Sequence, residues 1–410
     1  MIGAAILGYG TVGSGVQKIL SENRWHIARM VGEEVRLTHV VDIRPLDDMP
    51  PEIVVTRRFE DILESPEVKI VVECIGGAGV AYEFTRRALE SGRSVVTSNK
   101  ELVSTRGDEL LEIARAHSAM YLYEASVGGG IPLLRPIGQC LRANNILGVD
   151  GIVNGSTNYL LTRMEREGVS FPSALGEAQR LGYAERDPSA DIEGWDARRK
   201  LAILAHVSFG ARLCDEAMIP TTGISALTPD DLRCAHAFGG AVKLIAHARA
   251  EGDRWSGWVS PAVVPEDSPL YGVSDVFNAV MVKGDCVGDC MFYGRGAGSL
   301  PTASAVVGDV IDVAQHLDAP KQEMDFETMP AFKTDADEKV QWMIRVMGAS
   351  GMVDAQLRDA LAAERLEELK GVNGESITAV KTIPMTRQEA EQAWARLDGL
   401  KKGSLIRFLK

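Results

Sequence analysis

The sequence predicts an α/β protein: a parallel-sheet unit, a second α/β unit and a small α+β tail. Three patterns carry this expectation. Residues 2–7 (IGAAIL) form a short apolar run followed at once by GYGTVG and then SGVQKIL, which has helical spacing. Through about residue 120, strand-length apolar runs alternate with helical ones, the order that builds parallel sheets. A shorter alternation starts near residue 338, after an acidic, Pro-containing stretch at 319–338.

The run 2–7 alone fits a helix or a strand; the glycine turn after it decides for a strand. Gly8 allows the tight turn, Gly10 lets backbone approach a pyrophosphate, and Gly13 permits close packing of helix on strand. The helix N-terminus attracts the negative charge. This is the strand–turn–helix of a Rossmann-type dinucleotide-binding unit. A second strand, VRLTHVVD, ends in Asp42. A carboxylate there can accept bonds from both adenosine ribose hydroxyls and repels a 2′-phosphate, which favours NAD over NADP. Arg44, two residues on, could instead meet a phosphate, and the interval from Gly13 to Asp42 exceeds the usual twenty or so residues.

Further elements follow at 69–77, 82–92 and 93–100, and Lys100 emerges at a strand end, where open α/β sheets bind ligands. A second unit opens around MYLYEASVGGGIPLLRPI and ILGVDGIVNGSTNYLLTRM and continues to about residue 300. The run GRGAGSLPTASAVVGDVIDVAQHL (294–317) is a glycine turn feeding a helix suited to the cofactor cleft. The expected division is 1–134, completed by a helix at about 299–318, then 135–298, then 338–410. In the tail, VQWMIRVMG reads as a strand, MVDAQLRDALAAE as a helix, ESITAVKTIPM as a strand, TRQEAEQAWARLDGL as a helix and SLIRFLK as a last strand.

Composition narrows the function classes. The 410 residues carry a net charge of −13, which argues against a nucleic-acid partner. No run of about 18 apolar residues suggests a membrane span, and no secretory leader is visible. Six cysteines scattered through so long a chain fit a reducing cytoplasm. Cys286 and Cys290 lack a second Cys or His cluster with metal-ligand spacing, and the seven histidines are isolated singletons.

The segment LGYAERDPSADIEGWDARRKLAIL (181–204) is the most informative in the chain. Asp196 and Lys200 stand at i and i+4 and so share one helix face. Glu185 and Asp187 lie upstream in a loop with Gly182, Pro188 and Gly194 that can bend over that face. A carboxylate and an ammonium held together suit proton transfer. Read in isolation, the pair also fits an ordinary surface contact of about 0.3–0.5 kcal/mol.

With GYGTVG, TSNKEL, YEASVGGGIP, NGSTNYLLTRM and GRGAGSLPTASAVVGD, this segment resembles the homoserine dehydrogenase family over essentially residues 2–320. The resemblance implies reversible NAD(P)-dependent oxidation of L-homoserine to L-aspartate 4-semialdehyde, in threonine and methionine supply. It also implies that 135–298 binds substrate and forms a homodimer or homotetramer. On it, Lys200 is the acid/base, Asp196 orients it and binds the substrate hydroxyl, and Lys100 lies beside nicotinamide and substrate. Glu185 receives the substrate's α-ammonium group, with Tyr183, Gly155, Thr157 and Asn158 on the substrate side. The small polar residues of this strand-to-helix turn could equally be only a helix cap. Thr11, Val12, Gly76 and Gly298 join Gly8, Gly10, Gly13 and Asp42 in the cofactor cleft. Backbone carbonyls of Glu124, Val127, Gly129 and Ile131 would hold Na+, with a plain glycine turn as the other reading.

The family's fused kinase domain is not expected here. The tail stands where the family carries an ACT-like module, but VMGASGMVDAQL replaces the Asp-x-Pro-Gly turn, so weak or no threonine inhibition is expected. Two alternatives stay open: a dehydrogenase of another small hydroxy or amino acid, and a non-catalytic nucleotide-binding paralogue.

Overall fold

The computed structural model describes residues 1–317, 330–334, 336, 338–347, 357–358, 360–396 and 401–409. The first sheet has six parallel strands, β1 (Ile2–Leu7), β2 (Val35–Val41), β3 (Val54–Thr56), β4 (Val68–Glu73), β5 (Ser94–Thr97) and β6 (Tyr121–Leu122). Their order, β3-β2-β1-β4-β5-β6, is that of a Rossmann fold, with the switch of direction between β1 and β4. The strands β1, β4 and β5 are apolar and buried along nearly their whole length, as expected of parallel strands covered on both faces.

Helix α1 (Thr11–Glu22) follows the glycine turn, and a second helix, α2 (Arg24–Val31), intervenes before β2. That extra helix explains the long interval between Gly13 and Asp42. Gly13 is required by proximity: a Cβ there would stand 2.3 Å from the Gly8 carbonyl oxygen and 3.2 Å from Ile6 Cγ2. On the other side of the sheet lie α3 (Glu60–Glu64), α4 (Gly79–Glu90) and α5 (Lys100–Ala116). The chain leaves this unit, then returns to it at α11 (Ser299–Gln315). Val306, Val307, Val310 and Val313 of α11 share one buried cluster with Ile6, Val16 and Ile70.

The second sheet is mixed and orders β11-β10-β7-β8-β9-β16-β13-β15-β14. Its first part is β7 (Ile146–Ile152), the long hairpin β8 (Gly240–Glu251) and β9 (Arg254–Pro265), β10 (Phe277–Gly284) and β11 (Gly288–Arg295). Against it pack α6 (Gly155–Glu167), α9 (Trp195–Phe209) and α10 (Pro229–Ala237), with α7 (Phe171–Arg180) on α6 and the single turn α8 (Ser189–Ile192) before α9.

The tail contributes β13 (Trp342–Met347), β14 (Ala363–Lys370), β15 (Ser376–Thr382), helix α12 (Arg387–Ala395) and β16 (Lys401–Phe408). Most of the 319–338 stretch and residues 348–351 lie outside the described residues, as do 352–356 and 359 of the expected helix over 352–364, of which Leu357, Arg358 and Ala360 are helical. At its end the structure departs from expectation: Ala363 and Glu364 begin strand β14, which sequence reading missed. The segment AERLEELK consists of good helix formers, and antiparallel pairing with β15 overrides that propensity. Nor does the tail stand apart. Strand β16 pairs in parallel with β9, Arg407 opposite Ala262 and Phe408 opposite Val263, so one sheet runs through both parts. A buried ion pair between Arg345 of β13 and Asp231 of α10 ties them further.

Candidate active site

The site forms where β7 and α9 meet the start of α5. Gly194 precedes α9 with φ +82, a left-handed conformation that favours glycine, and it turns the chain from α8 into the helix. Asp196 then lies in the first turn of α9 and Lys200 one turn on, both buried. Lys200 Nζ donates to Asp196 Oδ2 at 2.7 Å and to the Val153 carbonyl oxygen at 2.7 Å. Lys100, the first residue of α5, places its Nζ 2.6 Å from Asp196 Oδ1. One buried carboxylate therefore joins two lysines, which makes the bland surface-pair reading untenable.

Burial costs a lone charge several kcal/mol, so the cluster must be internally compensated. Burial tends to raise the Asp196 carboxyl, but Lys200 and Lys100 outweigh it and hold it well below the ordinary range. The lysines part company. Burial, reinforced by nearby Lys100, pulls Lys200 below the ordinary lysine value despite the opposing pull of Asp196. Burial acts downward on Lys100 as well, yet Asp196 leaves it above its ordinary value, and its side chain is 40% exposed. One lysine is thus eased toward neutrality and the other kept charged, the kind of divergence that marks acid/base sites.

Helix α6 begins beside the pair. Asn154 caps it, accepting from Thr157 N at 2.8 Å, and donates to Asp191 Oδ1 at 2.7 Å and Asp196 Oδ2 at 2.8 Å. The Thr157 hydroxyl turns inward onto Asn154, so this side chain serves the cap. Gly155 starts the helix against the Val276 carbonyl. Asn158 is buried and donates to the Phe277 carbonyl at 3.1 Å. Tyr183 is half-exposed, its ring 4.9 Å from that of Tyr159. Glu185 lies in an exposed turn and makes no side-chain bond to Asp196 or Lys200.

The carboxyl ends of β1 and β4 flank the switch of strand direction, the position at which such a sheet receives a dinucleotide. Gly10 caps α1 without any side-chain bond, so the backbone N–H groups of the first turn, Thr11 and Val12 included, lack a cap from that residue. Gly298 caps α11 equally bare, and Ser299 Oγ donates to the Thr11 carbonyl at 2.7 Å, so two helix N-termini converge. A Cβ at Gly10 or Gly76 would meet nothing within 4 Å, which leaves room for a ligand. Asp42 follows β2 directly; its carboxylate accepts from Tyr9 N at 2.8 Å and from Arg44 N, Nε and Nη2 at 2.9–3.0 Å. The Arg44 guanidinium, anticipated as a rival to Asp42, is its partner here.

Beneath this position lies a network that sequence reading missed. Glu73, wholly buried at the end of β4, accepts from Ile75 N at 2.6 Å and Thr97 Oγ1 at 2.5 Å. Asn99 caps α5 and donates to the Ile75 and Gly77 carbonyls at 3.0 and 2.7 Å, tying the Gly76 loop to the helix that starts with Lys100. Burial pushes the Glu73 carboxyl up to about 7. The available signal was positional: Asn99 and Asn154 each stand just before a helix start, where caps are expected. Glu73, one acid in an apolar run, gave none.

In the YEASVGGGIP loop the Glu124 carboxylate accepts backbone N–H groups of Leu133, Leu134 and Arg135. Asp309 of α11 accepts from Glu124 N at 2.9 Å and from the Arg135 guanidinium. Val127 and Ile131 are buried, and Gly129 packs on the Gly296 backbone. Among the described residues no His, Cys, Asp and Glu side chains cluster as a metal site, and no helix is long and apolar enough to cross a membrane.

A glycine-rich dinucleotide turn, tied through Asn99 and Lys100 to a lysine that burial eases toward neutrality, defines an NAD(P)-dependent oxidoreductase acting on a CH–OH group. Family models described as "Homoserine dehydrogenase, NAD binding domain" and "Homoserine dehydrogenase" match residues 8–124 and 132–311. The homoserine dehydrogenase of Bacillus subtilis is 40% identical over 321 residues, 77% of this chain and 73% of that relative. The crystal structure of a homoserine dehydrogenase from Thiobacillus denitrificans is similar with a TM-score of 0.92 at 34% identity, covering 100% of this chain and 98% of the other. A hyperthermophilic archaeal homoserine dehydrogenase in complex with NADPH is similar with a TM-score of 0.65 at 28% identity, over 78% of this chain and 99% of the other. The chain belongs to the homoserine dehydrogenase family.

Proposed function

We propose that Lys200 is the acid/base of a reversible oxidation of L-homoserine to L-aspartate 4-semialdehyde. The observation that carries this reading is the shared carboxylate, with Lys200 lowered and Lys100 raised on its two oxygens. The nicotinamide ring, when bound, supplies the hydride acceptor. In oxidation the neutral Lys200 amine takes the hydroxyl proton as the C4 hydrogen leaves as hydride. In reduction the ammonium returns that proton to the carbonyl oxygen. Asp196 keeps Lys200 aimed and receives the substrate hydroxyl. Lys100 remains a cation at the open side of the site, next to substrate and nicotinamide. Glu185 pairs with the α-ammonium group when its turn folds over the substrate, and Tyr183, Gly155 and Thr157 border that position.

Gly8, Gly10, Thr11, Val12, Gly13, Gly76 and Gly298 hold the dinucleotide backbone, supported by the bare helix N-termini. NAD is the preferred cofactor, with Asp42 receiving the ribose hydroxyls once Arg44 yields one oxygen; NADP is the lesser one. Carbonyls of Glu124, Val127, Gly129 and Ile131 suit a hard monovalent cation such as Na+. The protein works in the cytoplasm as a homodimer or homotetramer. Homoserine-dependent reduction of NAD and of NADP, with Lys200→Ala alongside, tests the reading. Activity that survives in the variant refutes the lysine's role, and no activity with either cofactor refutes the reaction.

A further inference from the structure

We propose that Asn154 is a positioning residue for this reaction, its side-chain amide bridging Asp191 and Asp196 and so fixing the carboxylate that both lysines share. The inference rests on the reading of Lys200 as the acid/base. Asn154 is buried at the junction of β7 and α6, with an extended backbone and 5% of its surface exposed. Capping a helix needs only one acceptor oxygen, which serine, threonine or aspartate supply as well. Asn154 Oδ1 meets that need through Thr157 N at 2.8 Å and Thr157 Oγ1 at 3.0 Å. Its two amide hydrogens are surplus to capping, and both are used: one on Asp191, one on Asp196. The opposite amide orientation would set an oxygen against two carboxylates, so the surroundings fix which end is nitrogen.

The bridge links two elements that carry like charge. Asp191 belongs to α8 and Asp196 to α9, and a common donor takes the place of their direct repulsion. Asp196 Oδ2 receives both Asn154 and Lys200, which leaves Oδ1 to Lys100. The residue before Asn154 acts on the other partner, since the Val153 carbonyl accepts from Lys200. Two consecutive residues thus hold the carboxylate and the ammonium in register. The charged groups facing the bridge are Asp191 of α8, Lys100 of α5, and Lys200 with its neighbour Arg199 on α9. Arg199 itself lies 3.3 Å from Glu101. Without the amide, only the two lysines orient the Asp196 carboxylate, and Lys200 loses the fixed direction of its hydrogen-bond acceptor.

Asn154→Ser and Asn154→Asp both keep a capping oxygen and both lose the pair of amide N–H donors that spans the two carboxylates; only the second adds charge. The full-length variants are compared with wild type, Asp196→Asn and the Asn154→Ser/Asp196→Asn double variant. The serine variant should lose about a hundredfold in kcat, with KM for the dinucleotide unchanged. That loss should shrink in the Asp196→Asn background. The acid limb of kcat/KM for oxidation, set by Lys200, should move to higher pH in the order wild type, serine, aspartate, because a carboxylate that loses a competing donor leans harder on the Lys200 ammonium and an added negative charge favours the charged amine further. Titration of the Asp196 carboxyl by 13C NMR should follow the same order, and this readout does not depend on turnover. Should serine fail to fold, the aspartate variant decides by the same measures. A wild-type kcat and an unmoved Asp196 titration in the variants would overturn the proposal, whatever happens to Tm. Asp196 shifts in the variants of a protein that does not oxidise homoserine would leave the bridge standing and remove the reaction.

Discussion

Lys200 Nζ lies 2.7 Å from the carbonyl oxygen of Val153, a neutral acceptor that holds the amine in place in either protonation state. The proton can then leave without the side chain losing its position. Lys200→Ala should lower kcat by about 10²–10⁴-fold, the usual weight of a positioned acid or base. Lys200→Arg should not restore it, because a guanidinium does not give up its proton. Steady-state kinetics on both variants is the check, and an active arginine variant would remove the acid/base role.

The direction of oxidation should depend on pH. Lys200 must be neutral to accept the hydroxyl proton, and burial has lowered it from its ordinary 10.5. The kcat/KM for homoserine oxidation should therefore rise with pH and level off below 10.5. A limb still climbing at that pH would show that the lysine is not depressed in the working enzyme.

Glu73 predicts an unusual pH dependence of stability. Its carboxyl stands at about 7 in the fold against an ordinary 4.5, so the folded state holds this proton more tightly than the unfolded chain. Stability from this group is full below about 4.5 and is lost as pH rises through about 7, a change of about 3 kcal/mol at most. Glu73→Gln should raise Tm at pH 8 relative to wild type and leave it nearly unchanged at pH 5. Equal shifts at both values would contradict the raised carboxyl.

Asp42 is the test of cofactor choice. Removing its carboxylate in Asp42→Ala should lower kcat/KM with NAD by about 10- to 100-fold, the value of hydrogen bonds to a charged acceptor. The loss with NADP should be smaller, because Arg44 is then released toward a 2′-phosphate. Equal losses with both cofactors would leave Asp42 a purely structural partner of Arg44.

The tail is anchored by Arg345 on Asp231, both buried. Arg345→Met leaves a carboxylate unpaired in the interior and should cost about 3–5 kcal/mol by urea unfolding. Asp231→Asn in the same chain should recover part of that loss, since the uncompensated charge is gone. A loss below about 1 kcal/mol would mean that water reaches this contact.

The legible parts of the sequence were those whose signal is local. The glycine turn, Asp42 and the i,i+4 relation of Asp196 and Lys200 each rest on spacing within one element. The meeting of Lys100 with Asp196 joins residues far apart in sequence, and no periodicity encodes it; motif resemblance alone suggested that the two belong together. Glu73 looked like one acid at the end of a buried strand. Strand β14 was hidden because Glu, Leu, Lys and Ala favour a helix, and only pairing with β15 decides otherwise. The attachment of β16 to β9 was hidden for the same reason, since strand partners are chosen across the fold.

Helix α11 has a kinetic consequence. The valines that it sets against Ile6 of β1 and Ile70 of β4 are made some 240 to 300 residues after the strands they cover. During synthesis the first sheet must wait, one face covered only in part by α1 and α2, while the whole of the β7–β11 region is translated. Contacts of such separation slow folding and prolong exposure to aggregation. This protein should therefore lean on a holding chaperone early in translation, and a stalled chain ending before residue 299 should be more protease-sensitive in its nucleotide half than one ending after 315.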